Sequence, residues 1–181
     1  MTEYILLRYC APTLAGMKTA NLFRHMFASK HAMIIQLQRL NQQLHNKGLR
    51  IIPLHIRGNA ALLYLYRPAA LNRDFQCNEC CRLMRSFGYC PENPTRCLVQ
   101  LMQRLRCNSD FPHEIGLFLG YPPEDVQGFM EHRPCKYAGC WKVYGNVERS
   151  KHLFEQYRKC TAAFLQRWYA GESISKLAVA L

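Results

Sequence analysis

Two strand-like runs, LRIIPLHIR and AALLYLYR, meet at Gly58-Asn59. A Gly-Asn pair between apolar runs suits the tight turn of a β-hairpin, and Pro53 places the first strand at a sheet edge, where a missing N–H costs no ladder bond. Further strand signals are short: an entry segment, EYILLRYC, and a later CWKVYGN. The rest reads as helix gathered on either side of the hairpin. Strands and helices that do not alternate cannot build a parallel sheet, so the expected class is α+β, mostly helical, with the hairpin at about 49–66 and an extra strand near 141–145. A chain of 181 residues suits one domain, 1–181, burying roughly two thirds of its unfolded surface.

The helical expectations follow from apolar spacing and end signals. APTLAGMKTANLFRH is expected to be a helix with Pro12 in its first turn. In SKHAMIIQLQRLNQQLHNKG, Met33, Leu37, Leu40 and Leu44 share one face, Ser29 caps the start and Gly48 takes the left-handed position after the end. One helix is expected across AALNRDFQCNECCRLMRSFG, and another after Asn93-Pro94, a cap followed by proline at the first helical position. Val147 to Ala170 carries a long helix stopped by Gly171.

The charge is lopsided. Twenty-four Lys and Arg face twelve Asp and Glu, a net of +12, yet residues 111–131, FPHEIGLFLGYPPEDVQGFME, contain no Lys or Arg and hold, with Asp110, five of the twelve carboxylates. This segment has a helix-turn-helix outline, His113–Leu119 and Pro123–Glu131. Phosphate would repel Glu124, Asp125 and Glu131, so it is not expected to read DNA. Non-specific nucleic acid is expected, if anywhere, on the basic surface outside 111–131. No window is apolar enough to span a membrane, and MTEYILLRYC is acidic and too short in its apolar run for a signal peptide. A cytoplasmic protein with no membrane partner is expected. Its ten cysteines then read as free thiols, metal ligands or redox groups rather than a disulfide framework.

The strings YCAPTLAGMKTANLF, FPHEIGLFLGYPPEDVQGF and GCWKVYGN, followed by FEQYRKC, together resemble a bacterial domain-of-unknown-function family of anaerobic Gram-positive lineages. The resemblance spans nearly the whole chain. It implies a bacterial cytoplasmic protein and brings no activity to any residue.

From the residues themselves, three classes of function stay open. The first is a cysteine-dependent enzyme of acyl- or sulfur-transfer type. Cys10, expected just before a helix start with Arg8 and Lys18 nearby, would be the thiolate nucleophile; His113 would be the acid or base, oriented by Glu114. Pro-bearing helix starts at 12 and 112 would bring Cys10 and His113 to one cavity wall. Lys18, Arg67, Lys142 and Tyr144 would hold an anionic small molecule, with Trp141 and Tyr144 able to stack a planar one. The second class is a metal- or haem-binding protein: Cys77 and Cys80 with Cys135 and Cys140 have spacings suited to structural zinc, and iron-sulfur or haem ligation is a variant of that reading. The third is a basic nucleic-acid or protein interaction module. No Gly-rich phosphate loop supports nucleotide hydrolysis.

Overall fold

A computed structural model describes residues 3–107 and 110–180, and its contacts divide the chain into two compact units, Met1–Ala70 with Lys159–Leu181, and Leu71–Arg158. The fold is α+β and mostly helical, as expected.

The first unit is built on a three-stranded antiparallel sheet, β1 (Ala20–Met26), β2 (Arg50–Arg57) and β3 (Ala60–Tyr66), in the order β1-β3-β2. The hairpin expected at Gly58-Asn59 joins β2 to β3, with Gly58 at φ 57°, a conformation open to glycine. Pro53 lies on an edge strand beside a register irregularity at Pro53/His55, where no neighbour needs its missing donor. One sheet face, carrying Phe23, Ile51, Leu63 and Leu65, packs on helices α1 (Glu3–Leu14) and α2 (Lys30–Leu44). α2 follows its sequence signals: Ser29 accepts from the Ala32 N–H at 3.3 Å, the four apolar residues of its face are buried, and Gly48 is left-handed at φ 69° after a 3₁₀ turn, His45–Lys47.

The first twenty-six residues depart from expectation. EYILLRYC is helix α1, not a strand, and β1 stands where a helix was expected. A short unbroken apolar run reads equally as buried strand or buried helix. The spacing of Leu6, Leu7, Cys10, Ala11 and Leu14, all buried, is helical only when followed through Pro12. That proline sits in the last turn of α1 rather than the first, where its missing N–H forgoes a single bond. β1 owes its conformation to β3, which pairs with it from Ala20↔Tyr66 to Met26↔Ala60. The unit is completed by the end of α8 (Val147–Tyr169), which contributes Phe164 to the core, and by α9 (Ile174–Leu177), for which no helix was expected.

The second unit begins within α3 (Pro68–Asp74) and contains α4 (Asn78–Ser86), α5 (Pro94–Cys107), α6 (Ile115–Phe118), α7 (Pro123–Met130), a two-stranded ribbon of β4 (Tyr137–Ala138) and β5 (Lys142–Val143), and the start of α8. The helix expected over 69–88 is broken between α3 and α4. Phe75, at the break, is buried edge-on to Phe118 at 5.2 Å between centroids. The cap at Asn93 is as expected, accepting from the Arg96 N–H at 3.0 Å.

Arg67 is the chemical anchor of the first unit. It lies just past β3 and is 2% exposed. Its Nε donates to the Thr13 carbonyl at 2.8 Å, Nη1 to Lys47 at 2.9 Å, and Nη2 to Leu14 at 2.8 Å and Val179 at 2.7 Å. One guanidinium thus ties the end of α1, the 3₁₀ turn and the segment after α9 to the end of the sheet. A buried cation is tolerable only when its donors are satisfied, and here carbonyl oxygens satisfy them. Arg67→Ala would remove four bonds, leaving the Thr13 and Leu14 carbonyls only their bonds from the Gly16 and Val179 N–H groups, and is expected to destabilise the protein by about 2–5 kcal/mol. Arg67→Lys should recover only part of this, because an ammonium cannot reproduce the planar fork. The urea midpoint followed by circular dichroism measures both; an unchanged midpoint for the alanine variant refutes the anchoring role.

Candidate functional site

Two of the five carboxylates of the acidic segment are buried. Glu114, next to the start of α6, is 4% exposed, and Asp125, in the first turn of α7, is 3% exposed. Glu114 Oε1 accepts from the Tyr89 hydroxyl at 3.0 Å and from Arg104 Nη1 at 2.7 Å. Arg104 also donates to the Phe87 carbonyl and lies 4.4 Å from the Tyr89 ring centroid. Burial, reinforced by the Glu114 charge, pushes the Tyr89 phenol far up, so it remains a donor. Asp125 accepts from the Trp141 indole N–H at 2.7 Å through one oxygen. Through the other it accepts from the backbone N–H groups of Tyr144 at 2.7 Å and Gly145 at 2.8 Å. These bonds fasten the β4–β5 ribbon to α7. The ribbon packs closely enough that a Cβ on Gly128 would come within 2.5 Å of the Tyr144 ring.

The ribbon and the α6–α7 pair enclose a cavity of about 250 Å³, lined by His113, Tyr121, Phe129, Cys140, Trp141 and Lys142 over a floor of Ile115, Gly116 and Val126. Trp141 stacks on Tyr121 at 4.6 Å and meets Phe154 edge-on at 4.5 Å, so its plane is set from two sides as well as by Asp125. His113 packs edge-on to Phe129 at 4.8 Å. Lys142 Nζ lies 5.3 Å from the same ring centroid. Gly116 is required here, since a Cβ would come within 2.8 Å of Val126 Cγ2. The result is an aromatic slot with an imidazole, an ammonium and a thiol on its lining.

Several expected site residues take other roles. Cys10 does not precede a helix; it lies in the body of α1 with no exposed surface. Burial raises its thiol strongly, against which the Lys18 charge is a smaller effect, so the premise of a dipole-stabilised thiolate fails. Cys10 belongs to the first unit's core, whereas His113 lines the cavity of the second. Glu114 is held by Tyr89 and Arg104 rather than orienting His113. Arg67 is spent on carbonyls inside the first unit and has no surface for an anion. Lys18 stands in the turn between α1 and β1, where its N–H donates to the Pro12 carbonyl at 3.2 Å. Of the expected anion-binding residues, Lys142 lines the cavity, while Tyr144 packs over Gly128.

The four cysteines considered for zinc do not meet. Among the described residues no three His, Cys, Asp or Glu side chains are placed to hold a metal. Cys77 caps α4 and is exposed, whereas Cys80 is buried, its thiol pushed up to about 12 by desolvation. Cys135 donates to the Tyr137 carbonyl at 3.0 Å within the ribbon. The aromatic lining of Tyr121 and Phe129 and the buried Asp125 escaped the sequence reading. The available signal was the concentration of acids in a segment without bases.

Two outcomes follow. Asp125→Ala removes three accepted bonds and is expected to cost about 2–4 kcal/mol. In a Trp168→Phe background, which leaves Trp141 as the sole tryptophan, it should shift the emission to the red. Unchanged stability and emission would show that Asp125 does not hold the ribbon. Iodoacetamide at mildly alkaline pH should modify the exposed Cys77, Cys90, Cys107, Cys135 and Cys140 in minutes and leave Cys10 unmodified until the protein unfolds. Peptide mass spectrometry reads this directly, and early labelling of Cys10 contradicts its burial.

No helix among the described residues is long and apolar enough to cross a membrane. No curated protein and no solved structure matches the chain. A family model described as a protein of unknown function, DUF3793, matches residues 6–178 and so takes in both units. The chain belongs to the DUF3793 family.

Proposed function

We propose that the second unit binds a small planar anion in the cavity between Trp141, Tyr121 and Phe129. The observation that carries this is the lining itself: three aromatic side chains with His113 and Lys142 on one cavity of about 250 Å³. That volume falls just below the roughly 300–1,000 Å³ of drug-sized pockets, which suits a single ring bearing one acidic group. The ring would stack on the aromatic walls, and the acid would pair with Lys142 and accept from the His113 imidazole. Ligand binding needs walls that do not collapse, and the bonds of Asp125 to Trp141, Tyr144 and Gly145 supply that preorganisation.

The test is tryptophan emission in the Trp168→Phe variant titrated with benzoate and with its neutral isostere benzamide. Benzoate should bind with the greater affinity, and Lys142→Ala should weaken it about tenfold, or ~1.4 kcal/mol. Equal affinities, or no effect of the lysine, would overturn the reading.

A second reading rests on Cys140, the exposed thiol that shares the lining with His113. A cysteine-dependent reaction of acyl- or sulfur-transfer type on the bound anion would use this thiol in place of Cys10, with His113 as its base. His113→Ala should then slow the alkylation of Cys140 near neutral pH. An unchanged rate excludes the pair.

A further inference from the structure

We infer that the hairpin end of the three-stranded sheet, in the first unit, is a phosphate-binding site formed by Arg24, His55 and Arg57. It uses no residue of the His113 cavity. Arg24 on β1 and His55 on β2 are both paired with Leu62 of β3, and Arg57 is paired with Ala60 two residues away. Directly paired residues project from the same face of an antiparallel sheet. The register therefore sets Arg24 and His55 on either side of Leu62 and Arg57 beside Ala60, all on one face of the sheet. They line a cleft of about 480 Å³ with Gly58 and Ala60, and a Cβ on Gly58 would meet nothing within 4 Å, so the hairpin tip leaves the mouth open.

Charge and hydrogen bonding each point to an anion. The first unit holds twelve Lys and Arg against two acids, Glu3 and Glu172, a net of +10, whereas the second holds twelve against ten. Both acids of the first unit are engaged away from the cleft: Glu3 accepts from the Ile174 N–H at 3.3 Å, and Glu172 takes a bidentate pair from Arg167 at 2.7 and 2.6 Å. No carboxylate is among the residues that line the cleft, which include both arginines. Like charges gathered without a counter-ion attract anions from solution. The independent observation is His55 Nδ1, a buried ring nitrogen with no hydrogen-bond partner. A buried polar atom left unpaired costs stability, and the half-buried imidazole that carries it lines the cleft with the two arginines. Two guanidinium forks and one imidazole donor match the oxygens of a phosphate group. The group could be the terminal phosphate of a small molecule or the phosphodiester of a nucleic acid, since the recognition chemistry is shared.

The experiment titrates the full chain with inorganic phosphate and, separately, with a fluorescent oligothymidylate lacking a terminal phosphate. Binding is followed by calorimetry or anisotropy and by the imidazole NMR signals of His55. At least one probe should bind with an affinity that falls as salt rises and should move the His55 signals. Arg24→Gln with Arg57→Gln should weaken that probe at least about tenfold and reduce its salt slope by roughly two. Both arginines are exposed, so the thermal midpoint should hold. Tighter phosphate binding assigns a small phosphorylated ligand, and tighter oligothymidylate binding assigns a nucleic-acid backbone. The inference fails if neither probe moves the His55 signals or if the double variant binds like wild type. It also fails if Lys30→Gln with Arg39→Gln, outside the cleft, causes an equal loss, which would mark the effect as net charge alone.

Discussion

A charged side chain removed from water must recover inside the protein the hydrogen bonds it gave up, and three buried charges in this chain impose that requirement on everything around them. Arg67 recovers its bonds from carbonyls at the end of α1, the 3₁₀ turn and the segment beyond α9. Helix ends leave carbonyls with acceptor capacity to spare, and the arginine uses it at Thr13 and Leu14, whose carbonyls also accept from the Gly16 and Val179 N–H groups. The apolar contacts among Leu7, Leu14, Leu44 and Leu65 are interchangeable in kind with those of many cores. The Arg67 bonds are not, because they require particular backbone segments to end at one place.

Glu114 and Asp125 do the same for the second unit with the opposite sign. Glu114 collects a phenol and a guanidinium, and Asp125 collects an indole and two backbone amides. The β4–β5 ribbon has only two residues per strand, too few to persist on its own, and it is the Asp125 bonds that place Trp141 and Lys142 over α6 and α7. The proposed binding cavity therefore depends on a carboxylate that does not line it.

The two units also divide the electrostatics. Nearly all the net positive charge belongs to the first, while the second comes close to balance. A single figure of +12 conceals this, and so does an impression of a basic protein with one acidic stretch. Of the five carboxylates of the acidic stretch, Glu114 and Asp125 are buried with donors to satisfy, and Asp110, Glu124 and Glu131 face solvent.

Local chemistry by itself determined the hairpin at Gly58, the Ser29 and Asn93 caps, the left-handed Gly48 and Gly171, the face of α2 and the long α8, because each depends on residues within one or two turns of the chain. Membership of the family could also be read in the strings around residues 10, 115 and 141. Only the tertiary structure decided the rest. β1 is a strand because β3 lies beside it. Cys10 is buried in a core shared with the sheet and α2, a fact that no local dipole argument can anticipate. Arg67 reads as an anion ligand, Glu114 as an orienting group and Asp125 as an exposed charge because their partners lie far away in sequence, Val179 from Arg67 being the extreme. Whether a charge meets solvent, a ligand or a carbonyl depends on which distant backbone arrives beside it, and that is set by packing rather than by neighbours in the chain.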